Sequence, residues 1–406
     1  MIKRHALKTL KELSKMFSSV IVTGSRQVGK TTLLQEYGKK YEYLSFDDPL
    51  LINEFNEKGK NFLENYSLPL ILDEVQYVPN IFNYIKILCD KLKKKGIIYM
   101  SGSQQFKMME KVSESLTGRV GILNISSLSN REINAEEFYD EFIPTDKYLK
   151  NRSKKLSKFT EKDIWNNIQR GMLPELFVNK KYDSKKYYAT YLNTYIERDV
   201  RALAQIGDEV AFSKFIVALA ARTGQLLNKA EVAREVGIGE ATADRWLSIL
   251  KNSNIIYLLY PYANNRLKRV IKTPKVYFLD TGFCAYLTKW TTSDTLMYGA
   301  MAGHFFETYV ISEIVKSFYN NGIIDPPLYY YRDKDMVEID LIIESDGVLY
   351  PIEIKKYTNY NKNDMSSFRV LEKIKNIKVG NGGIICMYDK LLKVDDKKYI
   401  IPISYI

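Results

Sequence analysis

Apolar and polar positions change rhythm along the chain, and each rhythm predicts a different kind of element. In the first third, short β-branched and aromatic runs at residues 19–23, 41–46, 68–72 and 97–101 read as buried strands. Helix-length stretches separate them, which predicts a parallel α/β sheet, because parallel neighbours need a long crossover. From about residue 140 the strand signal fades. Residues 146–162 carry Lys147, Lys150, Arg152, Lys154, Lys155, Lys158 and Lys162 with few apolar positions, so an exposed basic connector is expected there. Helices follow, notably over 185–204.

A second pattern occupies residues 222–262. Residues 227–238 read as a helix stopped at Gly237, and a second helix over 240–251 turns Ala243, Trp246, Leu247 and Leu250 inward. Two β-like runs, 255–259 and 275–279, complete the order of a winged helix–turn–helix. The second helix exposes Glu240, Asp244 and Arg245, a poor surface for phosphates. Between the two runs lie Arg266, Lys268, Arg269 and Lys272. Duplex binding through the basic loop and a packing or protein-contact role are both open, the second being favoured.

The last third returns to mixed α and β. Residues 337–345 and 348–355 alternate polar and apolar around Asp346-Gly347, a strong hairpin signal. Counting outward from that turn sets Asp340 opposite Glu353 and Glu338 opposite Lys355. Ile339, Leu341, Ile343, Ile352 and Ile354 are then expected on the other face. Two facing carboxylates repel unless a proton or cation lies between them. On a helix over 305–318, Glu307 shares a stripe with Ile311, Ile314 and Phe318 and is expected to point inward. Glu307, Asp340 and Glu353 are thus candidate ligands of a divalent metal, and Lys355 a candidate catalytic cation. A solvated, charged hairpin face is the alternative. His304, beside that helix start, reads as a packing or capping residue rather than a ligand.

The most specific chemistry sits after the first strand. Gly24-Ser25-Arg26-Gln27-Val28-Gly29-Lys30-Thr31 fits G-x-x-x-x-G-K-[ST], and Thr32 continues into a helix. Backbone N–H groups of such a loop cradle phosphates. Lys30 is expected at the β- and γ-phosphates of ATP, and the Thr31 hydroxyl on Mg2+. Residues 70–74 form an apolar strand ending in Asp73, a candidate magnesium holder, and Glu74, a candidate for orienting or deprotonating the attacking water. Ser103 and Gln104, at the end of the next strand, are candidate γ-phosphate contacts or simple turn residues. Arg119 is a candidate transition-state arginine or a surface salt-bridge residue; acting in trans it would require an oligomer.

The bulk numbers narrow the class. A chain of 406 residues exceeds a single hydrophobic core. The elements suggest divisions at 1–140 (ATPase), 141–215 (connector and helices), 216–285 (winged helix) and 286–406 (nuclease-like). Sixty Lys plus Arg against 48 Asp plus Glu leave a net charge of +12, compatible with a polyanionic partner, DNA favoured. Cys89, Cys284 and Cys386 lie too far apart for a zinc motif and suit a reducing compartment. No apolar run reaches membrane-spanning length and none has the form of a signal sequence, so a cytoplasmic location is expected.

The series GSRQVGKTTL, LILDEVQ, SGSQ and SLTGRVG resembles a large group of prokaryotic AAA-type P-loop ATPases. Residues 171–175 (GMLPE), 195–201 (YIERDVR), 275–282 (KVYFLDTG) and 352–355 (IEIK) extend the resemblance over most of the chain. It implies an AAA-type domain, a winged-helix middle and a C-terminal α/β domain of restriction-endonuclease-like, PD-(D/E)xK type. In that light Glu307, Asp340, Glu353 and Lys355 resemble the acid and Glu-x-Lys set of the nuclease fold. The expected activity is ATP hydrolysis coupled to a nuclease-like domain acting on nucleic acid. The alternative is an ATP-dependent switch whose C-terminal half only binds nucleic acid or a protein.

Overall fold

The computed structural model describes residues 2–102, 112, 114–156, 160–195, 209–263, 273–359, 361–374 and 377–406. Strands β1 (Ser19–Thr23), β2 (Glu42–Ser45), β3 (Leu70–Asp73), β4 (Ile98–Ser101) and β5 (Val120–Asn124) form one parallel sheet in the order β2-β3-β4-β1-β5. Helices Lys30–Tyr37, Pro49–Lys58 and Ile81–Leu92 supply crossovers. Alternate residues of the strands enter two cores. Val20 and Val22 pack with Leu33, Leu34 and Ile71, while Ile21, Leu70, Leu72 and Met100 pack with Ile85. Because β4 is inserted between β1 and β3, the loops after all three strands meet at one edge.

The rest of the described chain builds a second sheet from β6 (Gln225–Leu226), β7 (Ile256–Pro261), β8 (Lys275–Phe278), β9 (Leu328–Arg332), β10 (Glu338–Ser345), β11 (Val348–Ile354), β12 (Lys378–Val379), β13 (Gly382–Cys386), β14 (Leu392–Asp395) and β15 (Lys398–Pro402). Its order is β14-β15-β13-β11-β10-β9-β7-β8-β6, with β12 against β11. Helix Glu209–Ala220, β6, helices Lys229–Val236 and Glu240–Asn252, then β7 and β8 follow one another, with β8 between β6 and β7. Gly237, at φ 81°, adopts the left-handed conformation that ends the first of the paired helices. The basic loop with Arg266, Lys268, Arg269 and Lys272 lies outside the described residues, as does the 196–204 part of the expected long helix. β7 pairs parallel with β9, Tyr260 against Tyr329, so the sheet runs without a break across the expected division at 285/286.

Helix Ala302–Asn320 is buried almost all round, because both halves of the chain pack on it. Its buried Glu313 and Lys316 pair at 2.7 Å, and each also reaches the N-terminal half. Asn130 N–H donates to Glu313 at 2.7 Å, and Lys316 donates to the Leu128 carbonyl at 2.9 Å.

Two expectations need correction. Residues 146–152 are not a solvated connector: helix Asp146–Arg152 buries Tyr148, Leu149 and Arg152. The Arg152 guanidinium pairs with Glu136 at 2.5 Å and donates to the Ser404 carbonyl at 2.7 Å, so its charge serves packing rather than solvation. The hairpin departs from simple alternation as well. Asp346 (φ 50°) and Gly347 (φ 74°) close the turn, and Ser345 pairs with Val348 as counted. The ladder to β9 shifts register between Ile339 and Ile342, and Ile339 packs with Ile342 rather than with Leu341 and Ile343. A bulge adds one residue and reverses the faces beyond it. Glu338 is therefore turned to Lys275 at 2.6 Å instead of standing opposite Lys355. Among the described residues no helix is long and apolar enough to cross a membrane.

Candidate functional site

The loop after β1 is shaped by its backbone. Gly24 (φ 147°) and Gly29 (φ 90°) adopt conformations that favour glycine, and a Cβ on Gly24 would collide with the Ile125 carbonyl. Gly29 caps the helix beginning at Lys30, whose N-terminal N–H groups face the loop. The buried Lys30 ammonium donates to the carbonyls of Gly24 (3.1 Å) and Ser25 (2.8 Å), bending back over the loop. From outside, Arg4 donates to the Val28 carbonyl at 2.5 Å and the Ser126 carbonyl at 2.8 Å. Holding the Val28 carbonyl outward leaves the Gly29 N–H, on the other side of the same peptide plane, to face inward.

Asp73 ends β3 across the inserted β4. Its carboxylate accepts from Thr31 (2.8 Å), Tyr43 (2.7 Å) and the Ser101 hydroxyl. Thr31 and Asp73 thus present adjoining hard oxygens next to Lys30, a donor set that fits Mg2+. Glu74 follows at φ 55° and accepts from the Gln76 amide. Burial raises the Glu74 carboxyl above its usual range, against the opposing pull of Gln76 and Lys30.

A cavity of about 530 Å3 lies over this loop. Arg26, Gln27, Gly29, Lys30, Thr31, Thr32 and Glu74 line one side, and Pro174, Glu175, Tyr187 and Thr194 close the other. Tyr187 donates to the Gln27 side chain at 2.6 Å. The closing segment is itself anchored: Asp280 accepts from Met172 N–H (3.0 Å) and the Tyr188 hydroxyl (2.6 Å) and caps the helix after β8. Gly171 is required there, because a Cβ would strike Tyr188 and Asp280. The 171–175 motif therefore joins the loop cavity to the second sheet.

Other predicted residues fare differently. Ser103 and Gln104 lie outside the described residues. Arg119 precedes β5 at the edge of the sheet opposite the loop, where its carbonyl meets Ser19 N–H at the start of β1. Its guanidinium grips Asp90 at 2.6 and 3.0 Å. A phosphate contact from Arg119 within the same chain is thus corrected to a surface ion pair. Tyr43, Ser101 and Arg4 were missed by sequence reasoning, since only the folded sheet brings them to the loop.

In the C-terminal half Asp340, Glu353 and Lys355 do meet. Lys355 donates to Asp340 at 3.2 Å and to Glu353 at 2.9 Å, Ile354 N–H donates to Asp340 at 2.8 Å, and Ser367 donates to Glu353 at 2.8 Å. Burial and then the Asp340 charge push the Glu353 carboxyl up. Asp340 stays below its usual range: burial opposes this, but Lys355 and Lys275 prevail. The two carboxyls therefore titrate as a pair, with the proton affinity of Glu353 raised and that of Asp340 lowered. Glu307 instead pairs with Lys275 at 3.1 Å and accepts from Tyr277 at 2.6 Å, and Lys275 also holds Glu338. Among the described residues no three His, Cys, Asp or Glu side chains converge as metal ligands. The expected set of Glu307, Asp340 and Glu353 does not fit a divalent ion in this geometry, because two lysine ammoniums already stand against it. His304 packs on Gly224.

Three segments of the chain match models of known domain families. Residues 17–134 match the model of an AAA domain, residues 161–294 a domain of unknown function (DUF8612), and residues 302–406 a second one (DUF4143). The N-terminal unit is thus an AAA-type P-loop ATPase domain. Similar over 368 residues at 28% identity are uncharacterized proteins Mb2031c of Mycobacterium bovis and Rv2008c of Mycobacterium tuberculosis, covering 87% of this chain and 74% of theirs. Among solved structures, the Walker-type ATPase PABY2304 of Pyrococcus abyssi is similar at 14% identity and TM-score 0.44, over 70% of this chain and 94% of that one. The RuvB Holliday junction branch migration motor of Thermotoga maritima is similar at 12% identity and TM-score 0.29, over 63% and 89%.

Proposed function

We propose that the chain is an ATP-hydrolysing switch whose C-terminal half binds nucleic acid, with nucleotide turnover changing how that half is held. The observation that carries this reading is the convergence of Lys30, Thr31, Asp73 and Glu74 under a roof made by the 171–175 segment. Phosphate oxygens would replace the Gly24 and Ser25 carbonyls as partners of Lys30. Bound Mg2+, held by Thr31 and Asp73, would neutralise charge on the β- and γ-phosphates. Glu74 takes a proton as the water oxygen bonds to the γ-phosphorus and the bond to the ADP oxygen breaks. Pro174 and Glu175 sense the γ-phosphate's presence, and Met172 passes their position to Asp280 and β8.

A second reading, a nuclease-like site, is favoured by the meeting of Asp340, Glu353 and Lys355. It requires a divalent ion to displace the lysine contacts. Plasmid cleavage with Mg2+ or Mn2+ separates the two: the switch reading expects no cutting, and cutting lost in Glu353→Ala would establish the nuclease. ATP turnover lost in Lys30→Ala tests the switch itself.

A further inference from the structure

A groove of about 500 Å3 opens between helix Glu161–Arg170 and the C-terminal half, and neither the ATP cycle nor the acid–lysine cluster uses it. One bank is Glu161 and Trp165 of helix Glu161–Arg170 with Met297 and Tyr298; the other is Lys356, Tyr357, Thr358, Asn359 and Asn361, on the chain leaving β11. It begins one residue beyond Lys355, so it adjoins the acid–lysine cluster. Tyr298 is 79% exposed and Tyr357 53% exposed, although large aromatic rings are ordinarily covered. Asn359 and Asn361 add carboxamides. Lys356 reaches across to the Met297 carbonyl at 3.2 Å, placing a cation between the banks. On the floor, Trp165 has a buried indole N–H with no acceptor among the described residues.

We propose that this groove binds an unpaired nucleic-acid strand, one or two bases stacking on Tyr298 and Tyr357 while Lys356 meets the backbone phosphate. The proposal rests on the switch reading and names its partner. Stacking on exposed tyrosine rings needs a base with a free face, which a duplex does not offer. The groove's volume suits single nucleotides and is far too small for a double helix. The carboxamides match base edges, and the chain's charge of +12 attracts a polyanion. A peptide adding as a β-strand is disfavoured, because the Tyr357 carbonyl already accepts from Met387 N–H at 3.0 Å.

The test is fluorescence anisotropy of the full chain, without nucleotide, with a labelled ten-base oligo-dT, its duplex with oligo-dA, and a labelled acidic peptide. The expected result is a preference for the single strand, with affinity falling roughly tenfold for Tyr298→Ala and again for Tyr357→Ala. Tyr298→Phe, which keeps the ring, should bind as the parent does. Equal binding of duplex, preference for the peptide, or unchanged affinity in Tyr298→Ala/Tyr357→Ala would overturn the groove assignment. Both tyrosines are surface residues, so unfolding transitions and basal ATP turnover should match the parent. Turnover retained with strand binding unaffected refutes the groove alone, whereas turnover absent from the parent chain refutes the switch.

Discussion

Replacing Arg4 by Met should damage both the stability of the N-terminal half and its grip on nucleotide. The Arg4 guanidinium is almost wholly buried and pairs at 2.9 Å with Glu132, whose side chain is fully buried. It also supplies the outer hydrogen bonds of the Val28 and Ser126 carbonyls. Methionine keeps much of the packing volume but leaves the Glu132 charge with neutral donors alone, the N–H groups of His5 and Ser129, both at 2.9 Å, and the Ser129 hydroxyl at 3.3 Å. Removing one member of a buried pair costs about 3–5 kcal/mol. For a unit of this size that corresponds to a fall in Tm of roughly 6 °C or more. Loss of the charged donor to Val28 should weaken nucleotide binding about tenfold, from the ~1.5 kcal/mol of such a bond. Burial alone would raise the Glu132 carboxyl, but Arg4, aided by the Ser129 and His5 contacts, holds it below the usual range. A depressed acid stabilises the fold above its unfolded pKa and loses that contribution as pH falls. The gap between parent and Arg4→Met should therefore be widest near neutrality and narrow below about pH 4.5. The assay is thermal unfolding across pH with fluorescent-nucleotide titration, repeated for Arg4→Met/Glu132→Leu, which should recover part of the loss. An unchanged transition and unchanged nucleotide affinity in the single variant would refute the reasoning.

Three further outcomes are expected. Burial lowers the pKa of both histidines, His5 and His304, so the folded state resists their protonation and stability should fall as pH drops through about 6.5. His5→Gln should flatten that dependence in denaturant titrations at pH 5.5 and 7.5. Arg152→Met leaves the buried Glu136 without its guanidinium and releases the Ser404 carbonyl, costing about 3 kcal/mol or more by chemical denaturation. Tyr43→Phe removes one donor from Asp73 at a half-exposed ring; the Mg2+ concentration for half-maximal ATP turnover should change several-fold while the unfolding transition stays put.

What could be read from the chain follows how local each feature is. The glycine loop, β1 and the Leu70–Asp73 strand are contiguous patterns whose chemistry and geometry coincide, so Lys30, Thr31 and Asp73 were legible. The Asp346-Gly347 turn likewise fixed the register next to it. The bulge near Asp340 was not legible, because the alternation from Glu338 to Leu341 runs into the apolar run Leu341–Ile343, whose residues suit either face and so do not mark where the backbone shifts. Lys275 lies far along the chain from Glu307 and Glu338, and only the folded sheet, with helix Ala302–Asn320 packed on it, brings it between them. The basic 146–152 segment looked solvated because its buried positions are Tyr148, Leu149 and an arginine. The roof of the nucleotide cavity was visible as a motif at 171–175 but not as a roof, since its placement depends on Asp280.

The central claim is that the loop at Gly24–Thr31 hydrolyses ATP with Asp73 and Glu74. Its most direct test is phosphate release from Mg-ATP by the parent chain, Lys30→Ala, Asp73→Asn and Glu74→Gln, paired with nucleotide-binding titrations. Turnover that requires Mg2+ and is lost in all three variants, with Glu74→Gln still binding ATP, is the predicted result. Turnover persisting in Lys30→Ala or Glu74→Gln, or no ATP binding by the parent chain, would contradict the account.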